Sequence, residues 1–206
     1  MTTSIAASDV LRSSVVKRAA DLSVACALLA FTLPLMMMVA LAIKLDGPGP
    51  VFYRQERVGL GGRRFTLLKL RSMRQDAEAD GRPVWAAAED DRITRVGRFI
   101  RCMRIDELPQ LFNVLRGEMS MVGPRPERPY FVDRLSAIIP SYHDRHTVLP
   151  GITGWAQINY PYGASIEDAR EKLHYDLDYI ANHRPLLDLK ILVATVGVVI
   201  ARKGAR

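Results

Sequence analysis

The chain has 206 residues, with 29 Lys and Arg against 22 Asp and Glu, a net charge of +7. That is room for one medium domain. The pI near 9.7 favours an anionic partner: nucleic acid, an anionic membrane surface or a phosphorylated substrate. Cys26 and Cys102 lack metal-ligand spacing, and Cys26 lies in an apolar run. This argues against a disulfide framework and makes a reducing compartment the default.

Residues 22–43 are almost wholly apolar, and from Val24 to Ile43 only Thr32 carries a polar side chain. A run of about 20 apolar residues is long enough to span a bilayer. A signal peptide would use Lys17 and Arg18 as its basic region, but the run is too long for that, has no small-residue cleavage site and is followed by Lys44. Pro34 divides the run. It removes a helical hydrogen bond and clashes with the Ala30 carbonyl. At ~1.5 Å per residue, each piece falls well short of the ~30 Å hydrocarbon core. Arg12, Lys17 and Arg18 flank one side, and Lys44, Arg54, Arg57, Arg63 and Arg64 the other, so the positive-inside rule assigns both ends to the cytoplasm. A re-entrant helix-break-helix satisfies both observations; a single span kinked at proline remains the alternative. Asp21 needs a partner at the start of the run, and Arg18 lies on the same helical face.

Asp46-Gly47-Pro48-Gly49-Pro50 ends the apolar segment. Residues 51–57 and 63–71 read as a β-hairpin around Gly59-Leu60-Gly61-Gly62, whose glycines are turn chemistry rather than a phosphate loop. Lys69 and Arg71 fall on one strand face. Residues 76–95 are polar and poorly patterned, a surface loop, and residues 96–103 a basic, half-apolar helix or turn.

Arg104-Ile105-Asp106-Glu107-Leu108-Pro109-Gln110 is the most informative stretch. Leu108, Leu111, Phe112 and Leu115 mark one apolar helical face. Asp106 is expected as the N-cap, Pro109 in the first turn and Gly117 as the C-terminal cap. A carboxylate there is usually only a cap. Here it shares the chain with Gly123-Pro124-Arg125-Pro126, an arginine between two φ-locked prolines, and with the strand cations. Acid pair, helix mouth and rigid cations together suggest phosphoryl chemistry.

Residues 129–139 read as a short helix stopped by Pro140. Residues 151–159 form an apolar segment ending in amides, and Tyr160-Pro161-Tyr162-Gly163 a turn. Ser165 and Asp168 form a capping box opening a helix with Ile166, Ala169, Leu173, Leu177 and Ile180 inward. Pro185 starts a last helix whose apolar run at 191–201 is too short to span, leaving a core helix or an interfacial one with Arg202 and Lys203 at the headgroups. His143 and His146 lack a third ligand, and Trp85 and Trp155 read as packing or interface residues.

Lys17-Arg18 with Asp21 before a proline-broken apolar run, Phe65…Lys69-Leu70-Arg71-Ser72-Met73, Asp106-Glu107-Leu108-Pro109-Gln110, Gly123-Pro124-Arg125-Pro126 and Gly151-Ile152-Thr153-Gly154-Trp155-Ala156-Gln157 occur in one order. Over residues 15–200 this resembles the bacterial sugar transferase family, the small monotopic phosphoglycosyl transferases. The resemblance implies transfer of sugar 1-phosphate from a UDP-sugar to polyprenyl phosphate, releasing UMP, as the first membrane step of exopolysaccharide or glycoconjugate assembly. Asp106 would be the nucleophile and hold a phosphosugar, Glu107 would bind Mg²⁺, and Arg125, Lys69 and Arg104 would surround phosphate. Asp176 matches a family acidic position. Arg18, Asp21 and Pro34 would serve the membrane segment.

The expected fold is α+β, mainly helical: a re-entrant membrane helix over 1–45 broken at Pro34, a cytoplasmic catalytic domain with a β-hairpin over 46–184, and an amphipathic or interfacial helix over 185–206. The expected place is the cytoplasmic face of the bacterial inner membrane. Expected partners are UDP-sugar, polyprenyl phosphate and membrane lipid, with a possible homodimer and no nucleic acid. The chain departs from the family at Leu33, where a small polar residue often precedes the proline. It begins almost at the re-entrant helix, resembling a minimal catalytic form or a piece of a longer chain. The segment 160–165 looks like a branch tied to exopolysaccharide systems. A Mg²⁺-dependent nucleotide-sugar pyrophosphohydrolase and a non-catalytic basic membrane-surface protein are the competing functions.

Overall fold

The computed structural model describes residues 2–77, 90–161, 163 and 165–201. Trp85, Tyr162, Arg202 and Lys203 therefore lie outside the described residues, as does most of the expected loop at 76–95. Among the described residues there are seven α-helices and two small sheets.

Helix α1 runs from Thr2 to Asp46 with Pro34 inside it. Its helical backbone passes through Pro34, so the expected interruption is not a loss of helix. Val15–Asp46 is long and apolar enough to cross a membrane, with an 18-residue window of mean hydropathy 2.4. Its burial is divided. Asp21 and Ala25 are buried in one half and Met36, Val39 and Ile43 in the other, while no residue from Cys26 to Leu35 is buried. Phe31, three residues before Pro34, is 84% exposed.

Both halves are tied to the same body of chain. At the N-terminal half, Lys17 bonds Asp188 (2.7 Å) and the Val122 carbonyl (3.2 Å). Arg18 donates to the carbonyls of Val114 and Leu115, and Asp21 accepts from the Met121 N–H. The expected Arg18–Asp21 partnership is thus corrected. Arg18 serves the carbonyl end of another helix, where a cation is favoured, and Asp21 has a backbone N–H with Lys17 at 3.9 Å. At the C-terminal half, Arg71 donates to the carbonyls of Ile43, Gly47 and Pro48, and Asp46 accepts from the Val96 N–H. Arg71 therefore fastens α1 rather than joining Lys69.

Strands β1 (Phe52–Val58) and β2 (Arg64–Leu70) form the antiparallel hairpin, turned by Leu60–Gly62 with Gly61 and Gly62 at positive φ. Helix α2 (Arg95–Cys102) is capped by Thr94, and α3 (Gln110–Arg116) ends at Gly117, φ 82°. The buried face of α3 carries Gln110, Leu111, Asn113 and Val114. Of the expected face, Leu111 is buried, Leu108 and Leu115 pack against the core and Phe112 is half-buried; Asn113 joins that face because it satisfies the Leu68 N–H and the Thr66 carbonyl of β2. Strand β3 (Ser120–Val122) pairs in parallel with β4 (Gly151–Thr153). Helices α4 (Pro129–Ser136), α5 (Trp155–Asn159), α6 (Ile166–Ala181) and α7 (Pro185–Ile200) complete the fold.

The Ser165–Asp168 capping box is present on α6. Leu173 is buried and Ala169, Leu177 and Ile180 pack against the core, but Ile166 in the first turn is exposed. Helix α7 buries Ile191 in the main core with Ala25, Leu67, Leu111, Val114, Met121 and Tyr179. Its Leu186, Leu189, Val193 and Val196 are exposed along the other face. One side of α7 is core, and the other is an apolar surface.

Candidate active site

Asp106 is not a helix N-cap. It sits in a separate 3-10 turn, Ile105–Glu107, and α3 begins three residues after the acidic pair, at Gln110. At the start of α3, the N–H groups of Leu111 and Phe112 are bonded to the carbonyls of Leu108 and Pro109. Arg104 opens the turn in the left-handed region (φ 56°). That conformation costs an L-residue roughly 1–2 kcal/mol. It carries the chain from α2 into the tight turn that presents both carboxylates.

The two acids have different surroundings. Both are buried. Glu107 Oε1 accepts from Lys69 Nζ (2.8 Å) and Arg125 Nη2 (2.5 Å), and Oε2 accepts from Arg125 Nη1 (3.3 Å). Burial opposes its charge, but Arg125 and Lys69 overcome this and hold Glu107 well below the usual carboxylate range. The Asp106 carboxylate accepts no hydrogen bond from any described residue. Burial raises its pKa, Lys69 pulls it down and the Glu107 charge raises it again. Burial likewise lowers Lys69, against the opposing pull of Glu107.

Arg125 stands on a rigid loop. A β-carbon at Gly123 would overlap the Leu149 carbonyl oxygen, so only glycine permits the close passage beside β4. The Pro124 carbonyl accepts from the Gly151 N–H, the Arg125 carbonyl from Arg145 and the Pro126 carbonyl from Arg57, each at 2.9 Å. Arg145 is the residue that sequence reasoning missed. It is buried, and it binds Asp176 Oδ2 through Nε (3.0 Å) and Nη2 (2.7 Å) and the Tyr142 hydroxyl through Nη1 (2.9 Å). Asp176 lines the cavity, but its carboxylate is committed to Arg145 rather than offered to an anion. Nothing in the local sequence singled out Arg145 among Tyr142-His143-Asp144-Arg145-His146. A buried arginine is legible only when its partner, 31 residues away, is known.

These residues open into a cavity of about 1230 Å³ lined by Lys69, Arg101, Arg104, Asp106, Glu107 and Arg125 at its acidic pair. Twelve basic and five acidic side chains line it, a balance suited to a polyanion. Its volume exceeds the ~300–1,000 Å³ usual for drug-sized ligands. The buried Gln157 Oε1, on the cavity wall, and Gln110 Nε2, beside Lys69 and Arg125, have no hydrogen-bond partner among the described residues. Such atoms are normally satisfied by ligand or water. Among the described residues no group of three His, Cys, Asp or Glu suits a metal ion. Among the described residues neither nitrogen of the buried His146 has a hydrogen-bond partner, and its ring packs beside Tyr142.

A family model described as bacterial sugar transferase matches residues 12–202, and the chain belongs to that family. It is 47% identical over 191 residues to the UDP-N-acetylgalactosamine-undecaprenyl-phosphate N-acetylgalactosaminephosphotransferase of Aeromonas hydrophila, covering 93% of this chain and 45% of the relative. It is 48% identical over 183 residues to the UDP-glucose:undecaprenyl-phosphate glucose-1-phosphate transferase of Caulobacter vibrioides, covering 87% and 68%. A transferase of the same name from Xanthomonas campestris pv. campestris is 46% identical over 84% of this chain and 36% of its own length. The chain thus spans less than half of two of these relatives. Near-equal identity to proteins named for different sugars leaves the sugar open.

Proposed function

We propose that this chain transfers sugar 1-phosphate from a UDP-sugar to polyprenyl phosphate in two displacements at Asp106. The observation that carries this is the inequality of the acid pair: Glu107 is engaged by Lys69 and Arg125, whereas the buried Asp106 carboxylate accepts no hydrogen bond from any described residue.

In the first step an Asp106 oxygen attacks the phosphorus that bears the sugar. The bond to the bridging oxygen breaks, and UMP leaves with that electron pair. In the second, a phosphate oxygen of the polyprenyl acceptor attacks the same phosphorus, and the aspartyl–phosphorus bond breaks to restore the carboxylate. Positioning and electrostatics dominate such transfers. Lys69 and Arg125 place positive charge against the transferring group, and Arg104 lies close enough to lower the Glu107 pKa further. The Arg145–Asp176 pair acts one step back, by fixing the Arg125 main chain. Glu107 would hold Mg²⁺, which takes carboxylate and substrate phosphate oxygens together. Bound there, it would neutralise diphosphate charge.

We infer further that α1 is re-entrant and that the site lies at the cytoplasmic face of the inner membrane. The support is mechanical. Lys17, Arg18 and Asp21 at one end, and Ile43 and Asp46 at the other, are bonded to one body of chain, so both ends belong on one side of a bilayer. The unburied stretch around Phe31 and Pro34 is the part left to enter it.

The test is UMP release from a panel of UDP-sugars with polyprenyl phosphate and Mg²⁺. Release that depends on the acceptor supports the transferase. Release at the same rate without acceptor would instead identify a pyrophosphohydrolase.

A further inference from the structure

The cavity has a second character away from its cations. Leu28 of α1, Ile152 and Thr153 of β4, and Thr195, Val198 and Val199 of α7 also line it. None is charged. The two threonines bond each other (2.7 Å), and Thr195 also donates to the Ile191 carbonyl, so their hydroxyls are satisfied within the wall. This wall is continuous with the main core: Ala25 and Ile191 are buried in the same cluster, and Val24, Leu29, Ile152 and Leu192 pack against it. The Asp106 site and an apolar recess between α1 and α7 are therefore parts of one cavity.

We propose that this recess is the subsite for the first isoprene units of the acceptor lipid, with α7 as its outer wall; this rests on the polyprenyl phosphate reaction proposed above. Three observations select a hydrocarbon chain over the nucleotide or the sugar. The six wall residues carry no charge and their two hydroxyls are already bonded, so a hydroxyl-rich group would lose hydrogen bonds on entering, with Gln157 Oε1 beside Ile152 offering it a single acceptor. The two helices that frame it turn apolar faces outward, Phe31 and Leu33 on α1 and Leu189, Val193 and Val196 on α7, so an occupant can pass from bilayer to recess without meeting water. The recess leads to Lys69 and Arg125, which puts the lipid's phosphate beside Asp106 when its chain lies between the helices. Helix α7 thereby has two functions, closing the core through Ile191 and guiding the acceptor through Thr195, Val198 and Val199.

The test is photoaffinity labelling of the full chain in nanodiscs, using a polyprenyl phosphate with a diazirine in the isoprene unit nearest the phosphate. The expected result is label on Leu28, Thr195, Val198 and Val199, displaced by unlabelled polyprenyl phosphate. Val198→Trp, or Leu28→Trp from the opposite wall should the first variant not fold, should cut that labelling about tenfold, the equivalent of one order of magnitude in affinity. Label confined to the outer faces, at Phe31, Met37, Leu189 or Val193, would overturn the subsite. Label in the recess of a protein that releases no UMP would leave the subsite standing and overturn the reaction instead.

Discussion

Lys69 Nζ lies 2.8 Å from Glu107 Oε1, an ion pair between strand β2 and the 3-10 turn that also carries Asp106. Arg125 completes the same carboxylate from the opposite loop. One acid is thereby fixed in its charged form, and its neighbour, with its pKa raised, accepts no hydrogen bond among the described residues. On the proposed reaction, the first is an electrostatic and metal-binding group and the second a nucleophile.

The pH dependence follows from that pair. Asp106 attacks only when ionised, and burial raises its pKa above the ordinary carboxylate value. Activity therefore falls as pH drops through that raised pKa, above the ~3.9 of a free aspartate. The Glu107 charge contributes to the elevation, so Glu107→Gln should move the acid limb of the residual rate to lower pH while lowering the rate itself. A pH–rate profile of UMP release reads both effects. A limb that moved upward would contradict the assignment.

The Arg145–Asp176 pair should affect Arg125 through its main chain. Asp176→Asn leaves Arg145 buried without its counter-charge, which typically costs ~3–5 kcal/mol of stability. In protein that remains folded, kcat should fall by about tenfold or more, because a slight displacement of a charged group erodes transition-state stabilisation. KM for UDP-sugar should change less. Steady-state kinetics beside thermal melting separates the two effects, and Arg145→Lys, which loses the fork but keeps the charge, should not restore kcat.

His146 predicts an acid sensitivity of the fold. Burial, with Arg145 and His143 nearby, lowers its pKa to about 4, from the ordinary 6.5. The unfolded chain takes up the proton first, so this contribution to stability is complete above about pH 6.5 and is lost as pH falls toward about 4. Melting temperatures of wild type and His146→Gln should converge across that window as pH is lowered.

Topology gives a further expectation. Reporters fused at the N- and C-termini should both read cytoplasm. Opposite sides would contradict a re-entrant α1, since Lys17–Asp188 and Arg71–Ile43 could not then belong to one body of chain.

Much of the local structure was legible because local rules govern it. The hairpin followed from glycines between two apolar runs, the α6 start from Ser165 and Asp168, and the α7 start from Pro185. The acid pair and Arg125 stood out as residues of one chemistry in one order, and the structure brings them together through Glu107. What escaped was non-local. The partners of Arg18 and Asp21 lie about a hundred residues away along the chain, at Val114 and Met121, so helical spacing chose the wrong ones. The parallel pairing of β3 with β4 and the support of Arg125 by Arg145 rest on contacts without a periodic signature. Spacing suggests Asp106 as a cap, but Arg104 takes a left-handed conformation that spacing does not reveal and sets Asp106 in a separate turn.

The most direct measurement is capture of the covalent intermediate. Incubating the protein with Mg²⁺ and a UDP-sugar radiolabelled in the sugar, without acceptor, should yield one labelled phosphosugar per chain on the peptide containing Asp106. The label should be lost to polyprenyl phosphate on its addition, and Asp106→Asn should take up none. Acceptor-dependent UMP release from a protein that never carries label, or equal labelling of Asp106→Asn, would contradict the two-step reaction at Asp106.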